Sequence, residues 1–173
     1  MMSFQNNKAS EINSLNELVF KPCDLKINGL MREAESQEYS AHRFQLHEKQ
    51  IIFRVAKITP TKTGQFVSIW QRNNQGLTAP FNLNDHLDFL MIVTKTQTQI
   101  GVFIFPKKVL REQKILSDEA QDGKRGIRIY PPWNETINKQ AQKTQLWQTR
   151  YFLNLTDENQ IDLNRAKNLL TNN

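Results

Sequence analysis

Cations and hydroxyl groups converge at two places in this sequence, and either could hold a phosphate. Arg54, Lys57, Lys62 and Arg72 lie on or beside the runs IIFRVAKI and FVSIWQR, and Lys57 and Lys62 flank the turn TPT. Thr59, Thr61 and Thr63 add hydroxyls there, and a tight turn with lysines and free backbone N–H groups can bind an oxyanion. The stretch TPTKTG has only Gly64 and lacks the spacing of a Walker loop, which excludes nucleoside-triphosphatase chemistry of that kind. The second place is GKRGIRIYPPW, where Gly123 and Gly126 bracket Lys124 and Arg125, and Arg128 follows. Glycine lets a backbone approach a ligand closely, and guanidinium groups grip phosphate through paired hydrogen bonds. Strand alternation puts Lys124, Gly126 and Arg128 on one face and Ile127 and Ile129 on the other. Tyr130 and Trp133 end the segment, and rings set among cations suit a groove in which bases stack. The plain alternatives are a rigid turn with solvated lysines and tryptophans that serve the core.

Other chemistries find little support. His42, His47 and His86 are scattered without the helical spacing of a zinc protease. His42 and Glu38, four residues apart, could pair on a helix, or simply form a surface hydrogen bond. One cysteine, Cys23, excludes an internal disulfide and a cysteine-based zinc site, and it reads as a small apolar packing residue. No Ser/His/Asp or Cys/His pattern is recognisable.

The chain has 173 residues, 38% of them apolar, which is enough for one domain with a core. Its apolar runs are far shorter than the roughly 20 residues of a membrane span. The N-terminus has no signal-like apolar stretch, and an intracellular, cytoplasmic protein is expected. The charge is uneven. Between Arg54 and Arg150 there are 15 basic and 7 acidic residues, a net of +8, whereas the remainder holds 8 and 10, a net of −2. Such a basic region attracts polyanions, nucleic acid first and acidic proteins or lipids after it.

Helical spacing is expected over SEINSLNELVF, ending before Pro22, and again at the start of MREAESQEYSAHRFQLH. From Gln50 the runs IIFRVAKI, FVSIWQR, LDFLMIV and IGVFIFP have the β-branched and aromatic content of strands. A loop (RNNQGLTAPFNLND), a short helix (KKVLREQKIL), a strand (GIRIYPPW), a helix through INKQAQKTQLWQTRYFLNL and a last polar helix follow. The expected class is α+β: one domain with a central, mostly antiparallel β-meander flanked by helices. It divides into an N-terminal helical extension (1–28), the α+β domain (29–153) and a C-terminal helical tail (154–173).

Five segments in order, FRVAKITPTKTGQFVSIWQR, DHLDFLMIV, GVFIFPKKVL, GKRGIRIYPPW and KTQLWQTRYF, resemble the MepB family of small bacterial proteins, over roughly Gly29–Phe152. The resemblance carries a comparison with the PD-(D/E)xK nuclease-like fold, whose members bind and usually cut nucleic acid. A site of that kind needs carboxylates for Mg²⁺ and a lysine near the attacking water. Asp88 opens a strand where the first acid, a metal ligand, is expected, and Lys107 follows the next strand. Phe105 stands where the second acid belongs, and Glu35 or Glu38 could add a carboxylate. The set is thus incomplete. Two classes of function stay open: a nucleic-acid-binding protein that grips phosphates through Arg54, Lys57, Thr61, Lys62, Arg72, Lys107, Lys124, Arg125 and Arg128, with Trp133 for a base to stack on, and a Mg²⁺-dependent nuclease using Glu38, Asp88 and Lys107. A basic module for an acidic protein or lipid is the third.

Overall fold

Residues 89–93 and 100–106 are apolar at almost every position rather than at every second one, the pattern of strands covered on both faces. They form the centre of the molecule. A computed structural model describes residues 10–171, so residues 1–9 of the N-terminal extension and the last two of the tail lie outside the described residues. Helix α1 (Ser10–Leu15) runs on through a π-helical turn (Asn16–Phe20) and a 3-10 turn (Lys21–Cys23). Strands β1 (Ile27–Arg32), β2 (His42–Leu46) and β3 (Lys49–Val55) come next. The short strands β4 (Lys57–Ile58), β5 (Gln65–Ser68), β6 (Trp70–Arg72) and β7 (Thr78–Pro80) follow. Then come β8 (Phe89–Lys95), β9 (Ile100–Pro106), helix α2 (Lys107–Glu112) and β10 (Gly126–Ile129). Helix α3 (Lys139–Gln148), β11 (Phe152–Asn154) and helix α4 (Leu163–Thr171) complete the order.

The fold is α+β. Its main sheet has the order β1-β2-β3-β8-β9-β11, and a second sheet has the order β10-β5-β4. Only the β3–β8 pairing in the main sheet is parallel; its other neighbours run antiparallel. The four strand-like runs from Gln50 to Pro106 therefore do not make one continuous meander. Parallel neighbours need a crossover, and here residues 56–88 supply it as strands β4 to β7, laid over the main sheet. FVSIWQR belongs to that upper layer.

Three further expectations are corrected. The segment 31–47 is a β-hairpin joined through a 3-10 turn (Gln37–Tyr39), with no α-helix. His42, Phe44 and Leu46 are buried at every second position, and this strand period outweighs the helix-forming residues of the exposed part. RYFLNL does not extend α3; it turns into β11, because Phe152 and Leu153 pair with Phe103 and Val102 at the sheet edge. RNNQGLTAP, expected as loop, carries the β6–β7 hairpin.

Each face of the main sheet has its own core. On one face, Ile12, Leu15, Val19 and Phe20 pack with Phe44, Phe53, Met91 and Ile104, and Leu155, Ala166 and Leu170 close the cluster. Residues from both terminal segments thus share this core. On the other face, Ile52, Leu90, Phe103 and Phe105 meet Val67, Ile69, Ile127 and Ile129 of the upper layer. Gly101 is required by this packing: a Cβ there would overlap the Phe152 ring.

That second face also carries charge. Arg54, in the middle of β3, is fully buried. Its Nε donates to the Ser68 carbonyl of β5 (3.1 Å) and its Nη1 to the Phe53 carbonyl (2.9 Å). The same Nη1 is paired with the Glu33 carboxylate, whose other oxygen accepts from Arg43 Nε (2.5 Å). The Phe81 ring lies within cation–π reach of both guanidinium groups, 5.4 Å from Arg43 and 5.9 Å from Arg54. Burial pulls the Arg54 pKa down, and Glu33 opposes that pull. Removing one partner of a buried ion pair leaves the other charge stranded, at about 3–5 kcal/mol. Glu33→Ala should lose stability on this scale in urea unfolding; a loss below about 1 kcal/mol would mean that water reaches Arg54.

Candidate functional site

The upper sheet arranges its cations through register. Arg128 of β10 stands opposite Phe66 of β5, which stands opposite Lys57 of β4. Directly opposed residues share a face, so Lys57, Phe66 and Arg128 form one row. Tyr39 packs edge-on against Phe66 (6.2 Å between centroids), and Lys57 Nζ lies 5.2 Å from the Tyr39 ring centre. Gly126 leaves the space that the Phe66 ring occupies. Arg128 is half-buried and ties the row to the neighbouring turn: its Nη2 donates to Thr59 Oγ1 (2.8 Å) and its Nη1 to the Thr63 carbonyl (3.3 Å). Thr59 in turn donates to the Lys62 carbonyl (3.4 Å). Thr61 and Lys62 are exposed on this turn.

Beyond Arg128 an open groove of about 560 Å³ runs between β10 and α3. Lys124 and Arg128 line it from the strand side, Lys143 and Arg150 from the helix side, and no carboxylate lines it. Tyr130 and Trp147 add rings to its wall, and Leu146 is 65% exposed beside them. Trp147 rests on Phe105, 5.2 Å between centroids, so the core fixes one side of the indole.

A helix side chain completes the strand edge. β10 is an edge strand, and Gln148 lies against its unpaired side. Gln148 Nε2 donates to the Arg128 carbonyl (2.9 Å), and Oε1 accepts from the Tyr130 N–H (2.8 Å). Its amide thereby reproduces the bonds of a neighbouring strand. N–H and C=O groups of alternate strand residues point the same way, so the Arg128 N–H and Gly126 carbonyl also face the groove.

The expected site residues do not all converge. Lys57, Thr61, Lys62, Lys124 and Arg128 lie along the row, turn and groove just described. Arg54 does not: it is sealed beneath the upper layer and has no surface to offer. Arg72 ends β6, and Arg125 lies beside the β6–β7 hairpin. Arg72 Nε pairs with Glu35 (2.8 Å), and Arg125 Nη2 donates to the Thr78 carbonyl (3.3 Å) while its Nη1 faces Asp122 (3.4 Å). Trp133 is packed edge-on against Phe152 (5.6 Å), with Nε1 buried. Sequence reasoning missed Lys143, Trp147 and Arg150. Their spacing of four and three residues, one helix face, was the signal available.

The acid set is not assembled. Asp88 Oδ2 accepts from the Gln50 N–H (2.7 Å), and Lys107 Nζ donates to the Asp85 carbonyl (2.8 Å). Both are occupied at the Gln50 end of β3. Glu38 sits on the 3-10 turn within residues 33–42, and this segment is fastened at the other end, through Glu33 to Arg54 and Ser36 to Ser68 (2.5 Å). Gln50 and Arg54 are about 13 Å apart along the strand. Among the described residues no group of three or more His, Cys, Asp or Glu side chains is placed to hold a metal. The residues present do not fit a PD-(D/E)xK metal centre.

The geometry makes Gln148 the positioning side chain of the groove. Gln148→Leu should cost about 2 kcal/mol, because two edge groups lose their partners. Amide exchange at Tyr130 should speed up in the variant, and unchanged exchange would mean that water replaces the glutamine without loss.

A family model described as MepB-like matches residues 33–154. Among solved structures, the crystal structure of MepB is similar, with a TM-score of 0.73 and 37% sequence identity, covering 76% of this chain and 88% of that one. No curated protein matches the chain.

Proposed function

The chain belongs to the MepB-like family, and on that footing we propose that it binds nucleic acid through phosphate contacts in the β10–α3 groove, with little base reading and no hydrolysis. The supporting observation is the groove lining: Lys124, Arg128, Lys143 and Arg150, with no carboxylate among them. Four cations without a neutralising partner create a field that draws in a polyanion and releases its counterions. Lys57, Thr61 and Lys62 extend this track past Arg128 along the turn. The Arg128 N–H adds an uncharged donor of the kind that fixes phosphates in place.

Hydrolysis has less to work with. An ion that activates water must be held close to the scissile phosphate, whereas Asp88 is tied to Gln50 and Glu38 lies toward the far end of β3. No helix among the described residues is long and apolar enough to cross a membrane. A cytoplasmic location accords with this reading.

Binding of a labelled oligonucleotide, followed by fluorescence anisotropy across a salt series, tests the proposal. Lys124→Ala combined with Lys143→Ala should weaken binding and flatten the slope of log K against log salt by about 1.4–1.8, at 0.7–0.9 per lost contact. Binding equal to the parent at low and moderate salt would remove the groove from consideration. Binding to anionic vesicles or an acidic peptide, with none to the oligonucleotide, would assign the cations to a different partner. Substrates should stay intact with Mg²⁺ or Mn²⁺ at saturating protein, and cleavage that vanishes in Asp88→Ala would restore a metal site.

A further inference from the structure

Resting on the nucleic-acid reading just given, we infer that the β10–α3 groove is built for a single strand rather than a duplex. The groove is a recess of about 560 Å³, and its cations are not on a flat or convex face: Lys124 and Arg128 stand on one wall, Lys143 and Arg150 on the other. A duplex offers phosphates on its outside and keeps its bases stacked within. It could reach the rims of such a recess, but the rings inside would have nothing to touch. A single strand can turn bases inward while its phosphates run past the cations.

The wall carries the groups that this arrangement uses. Trp147 and Tyr130 line the groove, and Leu146 is mostly exposed between cations of the helix. Trp147 is braced by Phe105 behind it, so a base stacking on it meets a surface that is already fixed and loses little freedom in the process. Stacking on an aromatic adds affinity with each base and accepts any base. The backbone of β10 adds a donor, the Arg128 N–H, and an acceptor, the Gly126 carbonyl, at strand spacing. An extended single strand passes such an edge at close range, whereas the width of a duplex holds it away.

The probe is a homopolymeric single-stranded oligonucleotide compared with a duplex of equal length, titrated against the full chain near physiological salt. The single strand should bind at least tenfold more tightly and quench tryptophan fluorescence. In Trp147→Phe most of the quenching should vanish while binding falls only a few fold, since Phe keeps a ring against Phe105; Leu146→Ser, at an exposed position, should weaken the single strand more than the duplex. Equal affinities, or tighter duplex binding, would overturn the single-strand inference and leave the phosphate-binding groove standing. Binding of the single strand with full quenching retained in Trp147→Phe would also overturn it, since the bases would then lie elsewhere. Failure of both nucleic acids to bind would remove the underlying reading and this inference with it.

Discussion

A guanidinium group that water cannot reach must find its oxygen partners inside the protein, and Arg54 finds them for Nε and Nη1 on three segments, with Nη2 left without one. Glu33 comes from the chain between β1 and β2, the Ser68 carbonyl from β5, and the Phe53 carbonyl from its own strand. An uncompensated charge at this depth is so unfavourable that arrangements lacking any one of these partners are strongly disfavoured. The cluster therefore fixes how the upper layer sits on the main sheet. Ser68 lies on the strand that pairs with β10, so the position of the groove is inherited from Arg54 even though Arg54 takes no part in it. Arg43 and the Phe81 ring widen this anchor toward the edge of the sheet.

The centre of the fold was legible because its strands are covered on both faces, and Phe89–Val93 and Ile100–Pro106 announce that in their composition. The short helix after Pro106, strand β10 and the helix at Lys139–Gln148 were legible for similarly local reasons. The hairpin of residues 27–46 was not. Its outer residues, such as Glu35, Gln37 and Glu38, are good helix formers that meet no core, and only the alternation of His42, Phe44 and Leu46 carries the strand. Strand β11 was hidden by continuity, since TRYFLNL follows a good helix without a breaking residue. Its fate is decided by Phe103 and Gly101, some fifty residues away in sequence.

The candidate site was legible as chemistry and less so as place. Lys124, Gly126 and Arg128 could be read onto one strand face because alternation is local. Whether Arg54 faced solvent could not be read from its charge, although its apolar neighbours on both sides in IIFRVA hinted at burial. The separation of Asp88 from Glu38 depends on which end of β3 each approaches. That is a property of the β1–β2 hairpin and of the parallel β3–β8 pairing, and neither has a signature in short segments. The helical cations Lys143 and Arg150 acquire meaning only once α3 lies along β10.

Gln148 has a consequence for how copies of this protein behave toward one another. An edge strand is a template, and its free N–H and C=O groups can recruit a strand from a second molecule and begin aggregation. Along β10 the glutamine amide occupies the Arg128 carbonyl and the Tyr130 N–H, where such a strand would register. Lys124 and Arg128 flank what remains with like charge, so a second β10 would be repelled as it drew near. A polyanion meets no such repulsion. The same edge is thus closed to its own kind, while its charge would favour the polyanion of the proposed function.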